Sequence, residues 1–286
     1  MRVQARFGSA VSLGGKGMKS RCRLLHASVF ALLVAMSPNI GATSFSSDQS
    51  DIWNAQGEPG WAIQFVQRGS AIFATIYIYD VSGNPIWYSA ALGPTGGSFT
   101  WSGDLYAARG PWFGAVPFNP AQVTLRKVGT IKWVAQTVTS GTLTYSVDGV
   151  AVTKLLERYL LDYDDFSGHY AGGAHQTVTG CFNPAFNGTA EQAGLLFVAQ
   201  SGQTISLRFV DASGGSCTYN GTRSQAGQMG SSQGSFACSD GSAGTFSAFE
   251  SQVNISGFST RFTLNYSNPP GCQNTGWFGG VRGTTF

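Results

Sequence analysis

The alternation of apolar and polar positions is clearest between Glu58 and Tyr88, and it predicts three strands joined by two tight turns. From Gly60 to Gln67, Trp61, Ile63 and Phe65 alternate with Ala62, Gln64 and Val66. Arg68-Gly69-Ser70 turns the chain into Ala71–Asp80, which is rich in β-branched and aromatic residues. Ser82-Gly83-Asn84-Pro85 turns it again into Ile86-Trp87-Tyr88. A period of two, bounded by Gly, Asn, Ser and Pro, is the pattern of an antiparallel meander. Short runs of the same kind continue through Phe99-Thr100-Trp101, Val123-Thr124-Leu125, Ile131–Val134 and Gly141–Val147. Asp148-Gly149 before Val150-Ala151-Val152 reads as a type I′ hairpin. Thr153–Leu161 suits helix or strand, and its place in the series makes it the closing strand. About eight strands at this spacing predict a sandwich or a small closed barrel.

The amino terminus breaks the pattern. Lys19, Arg21 and Arg23 precede the apolar run Val29–Met36, followed by Pro38 and small residues up to Ala42. A basic flank, a short apolar core and a small-residue exit describe a secretory signal peptide, with Met18 the expected start and cleavage after Ala42. The run is shorter than the ~20 apolar residues that span a bilayer, so no transmembrane segment is expected after processing. The leader also carries the positive charge. Six of the 17 Lys and Arg lie before Ala42 and all 14 Asp and Glu lie after it, leaving 11 against 14, a net of −3. With no basic stripe interleaved with aromatics, nucleic acid is not an expected partner.

The cysteines divide the remainder. After Cys22 is removed with the leader, four stay: Cys181, Cys217, Cys238 and Cys272, all in the C-terminal half. An exported chain permits two bridges. If the arms of a hairpin turning near Gly227 carry Cys217 and Cys238, those two face each other, leaving Cys181 for Cys272. No two cysteines have the short spacing of a zinc site. Residues 51–160 hold six of the seven Trp and no Cys, whereas 166–286 are rich in Gly and Ser. The chain is therefore read as all-β: leader 1–42, linker 43–50, an aromatic-rich antiparallel module 51–162 and a disulfide-bonded, barrel-like module 163–286. Its opening Gly168-His169-Tyr170 and glycine-edged closing run Gly276–Gly283 are similar in shape to small up-and-down barrels of the lipocalin and avidin kind. Shape of that sort does not carry function.

Residues 50–160 also resemble a β-rich domain that recurs, sometimes in tandem, in exported proteins of proteobacteria. The resemblance rests on Trp53, Glu58-Pro59-Gly60-Trp61, Phe73-Ala74-Thr75, Tyr79-Asp80, Gly83-Asn84-Pro85, Trp87-Tyr88, Gly110-Pro111, and Thr144-Tyr145-Ser146-Val147-Asp148-Gly149-Val150. It implies an exported β fold and no particular chemistry. One departure is Ala62-Ile63 after Trp61, where a second glycine is usual.

Candidate chemistry is sparse. His169 and His175 survive processing, and Asp162, Asp164 and Asp165 lie just upstream, so an oxygen–nitrogen metal site or a base pair is one reading. Gly172-Gly173 is expected to break the strand between the histidines, and polar residues at a module seam are the simpler reading. Gly230-Ser231-Ser232-Gln233-Gly234 matches a nucleophile elbow literally, but it reads as a Gly/Ser loop with no following helix. Glu58 with Asp80 is the one carboxylate pair suited to glycoside cleavage. The aromatic set Trp53, Trp61, Tyr77, Tyr79 and Trp87, with Glu58 beside it, is the expected ligand-binding group. Packing inside a barrel is its ordinary alternative, and buried core is the default for Phe73, Tyr77 and Tyr79. These features favour a non-catalytic module binding a small molecule, a glycan or an envelope protein, with no cofactor. A small, metal-assisted hydrolase and a structural surface protein are the alternatives.

Overall fold

The computed structural model describes residues 48–283 apart from residue 98, so the leader and most of the linker lie outside the described residues. Two closed antiparallel barrels of eight strands follow one another. The first comprises β1 (Asp51–Ala55), β2 (Ala62–Arg68), β3 (Ala71–Tyr79), β4 (Pro85–Pro94), β5 (Thr100–Arg109), β6 (Thr124–Ala135), β7 (Ser140–Val147) and β8 (Val150–Arg158). The second comprises β9 (Gly168–Thr179), β10 (Gly188–Ser201), β11 (Thr204–Asp211), β12 (Ser216–Ala226), β13 (Met229–Cys238), β14 (Ala243–Val253), β15 (Gly257–Asn268) and β16 (Gln273–Arg282). Each strand pairs with the next, and each barrel closes by pairing its last strand with its first, β8 with β1 and β16 with β9. Closure removes the unpaired edges that open sheets must protect.

Local sequence explains the turns. Asp148 and Gly149 both take positive φ, 47° and 88°, between Val147 and Val150, which pair. Two left-handed residues match the twist of the flanking strands. The run read as ambiguous, 153–161, is strand as far as Arg158.

The first barrel is filled. Trp53, Phe65 and Trp133 meet at its centre, with Trp53 and Trp133 ring centroids 4.8 Å apart and Phe65 5.3 Å from Trp133. Both indole N–H groups donate to Gln49, Trp53 to its carbonyl and Trp133 to its side-chain oxygen. Buried indoles need such partners, and these hold the segment before β1 over the barrel mouth. A Cβ at Gly141 would stand 2.3 Å from the Trp133 ring, so glycine is what admits the ring there. Arg158, 5% exposed, lies over Trp53 and donates to the Val138, Ser50 and Asp48 carbonyls and to Asp51. Asp51 in turn accepts from the Gln228 backbone N–H, tying the barrels together.

The second barrel carries the disulfides Cys181–Cys272 and Cys217–Cys238. The latter bridges directly paired positions of β12 and β13, whose hairpin turns at Gly227. Two features differ from the sequence reading. β9 runs unbroken through Gly172-Gly173, because both glycines pair across to β10 and β16. Residues 230–234 are strand, not loop: they lie within β13 with Ser232 buried, which supplies no strained turn to expose a nucleophile.

Candidate ligand cavity in the second barrel

The second barrel leaves a space in its interior. Ala174 on β9 and Ala248 on β14 are the small residues that border it. The result is a cavity of about 80 Å³ within about 600 Å³ of empty space that includes its mouth. Leu196, Leu207, Phe246, Leu264 and Phe278 form most of its apolar wall. One end of the barrel is sealed. Phe166 and Tyr170 are 2% and 0% exposed, and both pack against Phe258. Arg282 donates to the Ser167 carbonyl and the Tyr170 hydroxyl, and Arg223 to the Asp164 carbonyl, fastening the 162–167 segment across that end.

The opposite end is polar and half-buried. Asn274 Nδ2 donates to Gln176 Oε1 at 2.8 Å, Gln176 Nε2 to Gln192 Oε1 at 3.3 Å, and Gln192 Nε2 to Asp211 Oδ2 at 3.1 Å. Gln176 and Gln192 line the cavity, and Asn274 pairs in register with Leu264, which lines it too. Asp211 Oδ1 accepts from the Ser213 hydroxyl and from the Ser213 and Gly215 N–H groups, and these bonds hold its carboxyl below the usual range. Burial pushes the Tyr219 hydroxyl up, so it meets the cavity as a neutral phenol. Burial raises Tyr266 as well, and the adjacent Asn274 amide partly offsets it.

The ligand group expected in the first barrel is divided by its wall. Trp53 and Trp61 are inside, 0% and 8% exposed, with the Trp61 N–H on the Tyr145 hydroxyl at 3.3 Å. Tyr77, Tyr79 and Trp87 are outside and about half exposed, as is Phe73, so buried core is corrected for this face of β3. Ile72, Ala74 and Ile76 take the interior instead. Tyr77 pairs with Trp87 across β3 and β4, so the outer face shows an aromatic pair. Glu58 is engaged by Lys154, which also lies over the Trp61 ring. Asp80 accepts from the Ser82 and Asn84 N–H groups of its own turn, which lowers its pKa. Both carboxylates of the suggested pair thus have local structural partners.

The histidines share the outer face of β9 but lie six residues apart, roughly 20 Å along a strand. His169 packs edge-on against Phe197. His175 stacks on Trp277 at 4.2 Å and pairs with Glu191. Asp164 and Asp165 belong to the sealing segment. Asp164 accepts from Gln225, with burial pushing its carboxyl up, while the Ser167 N–H bond holds Asp165 down. Among the described residues no three His, Cys, Asp or Glu form a metal-holding group, and no helix is long and apolar enough to cross a membrane.

Sequence reasoning missed Ala174, Gln176, Gln192, Tyr219 and Asn274. The available signal was polar or small residues at positions in phase with Leu196, Phe278 and Leu264. No family model matches the chain and no curated protein matches it, so the cavity is interpreted from its own geometry.

Proposed function

We propose that this is an exported, non-catalytic binding protein whose second barrel holds a small neutral ligand and whose first barrel is a packed scaffold. The single observation behind this reading is the cavity, sealed at one end, apolar along its walls and lined with amides at the other. Binding sites of this class are concave, mostly apolar and carry a few placed polar groups. Export is supported by the leader of the sequence, by the two disulfides, which suit an oxidising compartment, and by the resemblance of residues 50–160 to an exported domain.

Native mass spectrometry of the protein purified from its own host tests the reading. The expected result is a small-molecule adduct that is lost in Ala174→Leu, which narrows the cavity. An adduct that persists in Ala174→Leu, or a bare protein that takes up no small hydrophobe, would overturn it. The exposed Tyr77–Trp87 pair favours a second reading, an envelope partner seated on β3 and β4. That reading expects Tyr77→Ala with Trp87→Ala to abolish a cross-link in whole cells without changing folding.

A further inference from the structure

The two barrels are closed at one end by the same hydrogen bonds, position for position. Ser50 and Ser167 each donate a backbone N–H to the aspartate two residues earlier, Asp48 and Asp165. Their hydroxyls accept from the N–H groups of Gln67 and Gln200. The side-chain oxygens of those glutamines accept from the Gln49 and Phe166 N–H groups. Trp53 Nε1 and Tyr170 Oη each donate to the carbonyl four residues back. Arg158 and Arg282, the last residues of β8 and β16, lie over those two rings and donate to the Ser50 and Ser167 carbonyls. Their backbone N–H groups reach the facing turns, at the Thr139 and Ser256 carbonyls. Even those turns match. Thr137 Oγ1 accepts from the Thr139 and Ser140 N–H groups, as Asn254 Oδ1 accepts from those of Ser256 and Gly257.

One bond breaks the correspondence. Arg158 Nε donates to the Val138 carbonyl at 2.7 Å, and Val138 is half-buried against the first core. Ile255 holds the same place in the β14–β15 turn, yet it is 94% exposed. Arg282 Nε is buried and has no hydrogen-bond partner. A buried donor of a charged group left unmade is costly, and so is a large apolar side chain left in water. One movement removes both costs. We infer that the β14–β15 turn is a two-position latch, open in this structure. It shuts when the Ile255 carbonyl accepts from Arg282 Nε and the Ile255 side chain packs onto the barrel end, as Val138 does in the first barrel.

The hinge is present. The Arg282 N–H bond to Ser256 is made in the open position and has its counterpart in the closed turn of the first barrel, so it serves both. The bonds to Asn254 keep the tip rigid as it swings. Arg158 is fixed more firmly, because it also donates to Asp51 and to the Asp48 carbonyl. The position of Asp51, paired with Phe65, is taken in the second barrel by Gly168, paired with Val198. Arg282 therefore lacks that carboxylate. Shutting the latch joins the turn to the guanidinium that already holds Ser167, and so tightens the seal over Phe166 and Tyr170. Nothing in this device requires the cavity to hold a ligand.

Relaxation-dispersion NMR on the disulfide-intact protein tests it, since lid motions of this kind fall in the μs–ms range that the method reads. The Ile255 Cδ1 methyl and the Arg282 Nε–H group are expected to exchange at one common rate, while the Val138 methyls and Arg158 Nε–H show no exchange. Arg282→Lys keeps the charge but removes the Nε–H donor, and is expected to abolish the Ile255 exchange and leave its methyl at the shift of a solvent-exposed isoleucine. An Ile255 methyl without exchange in the wild type, whether at an exposed or at a packed shift, would overturn the two positions. Ile255 exchange that persists unchanged in a folded Arg282→Lys would overturn the role of the guanidinium. Should that variant not fold, unequal rates at Ile255 and Arg282 Nε–H in the wild type would overturn it equally.

Discussion

Ala174→Leu and Ala74→Leu are the same substitution at inward alanines of the two barrels, and opposite signs are expected. Ala174 lines the cavity, and its strand neighbours are Gln192 and Phe278. Leucine adds three carbon atoms there. At ~0.8 kcal/mol per buried CH₂, the gain has a ceiling of about 2.4 kcal/mol. Ordering the longer side chain returns about 0.5–1 kcal/mol. The net expectation is about 1–2 kcal/mol of stabilisation, together with loss of ligand. Ala74 is fully buried between Phe65 and Ala90 in the filled barrel. Leucine there has no space and overpacks, costing about 1–3 kcal/mol. Urea unfolding followed by far-UV circular dichroism checks both, with unchanged m-values required for the comparison. The physical reasoning is refuted if Ala174→Leu is destabilised as much as Ala74→Leu, because the second barrel would then be as full as the first.

Other expectations follow from the same contacts. Reducing Cys181–Cys272, which closes a loop of 91 residues, should lower stability by roughly 4–5 kcal/mol. The corresponding figure is roughly 3 kcal/mol for Cys217–Cys238, with its separation of 21; serine variants in urea titrations give the order. Arg158→Ala leaves three carbonyls and Asp51 without their donor and should cost about 3–5 kcal/mol; Asp51→Asn on that background should recover part of it in a double-mutant cycle. Gly60→Ala places a Cβ 2.1 Å from the Tyr79 hydroxyl at φ +85°, and should cost about 1–2 kcal/mol in thermal unfolding. The turn aspartates Asp80, Asp165, Asp211 and Asp240 have lowered pKa values, through hydrogen bonds donated within their turns. A depressed carboxylate stabilises the fold above its unfolded pKa of ~3.9 and loses that contribution as pH falls through its folded value. Unfolding midpoints should accordingly be flat near neutrality and fall below about pH 4, with Asp211→Asn showing a shallower decline.

Local patterns are legible in this chain because local physics sets them. The alternation of Trp61, Ile63 and Phe65 marks the interior face of β2, since only one of its faces is apolar throughout. Asp148-Gly149 forces its hairpin because few residues tolerate two positive φ values in succession. The facing of Cys217 and Cys238 follows from a hairpin counted outward from Gly227. Strand β3 could not be resolved in this way. Ile72 and Ile76 alternate with Phe73 and Tyr77, both faces are apolar, and only closure against Phe65 and Ala90 decides that the aliphatic face goes in. The cavity is less legible still. It depends on what eight strands leave unfilled, a difference of volumes rather than a property of any segment. The amide chain draws Gln176, Gln192, Asp211 and Asn274 from β9, β10, β11 and β16, and Asn274 meets Gln176 only when β16 closes on β9. The sequence by itself determined the strands, their turns and the cysteine frame, because these arise from residues close along the chain. Only the tertiary structure decided which barrel is full, which is hollow and which polar groups face the hollow, because barrel closure sets the register between distant strands.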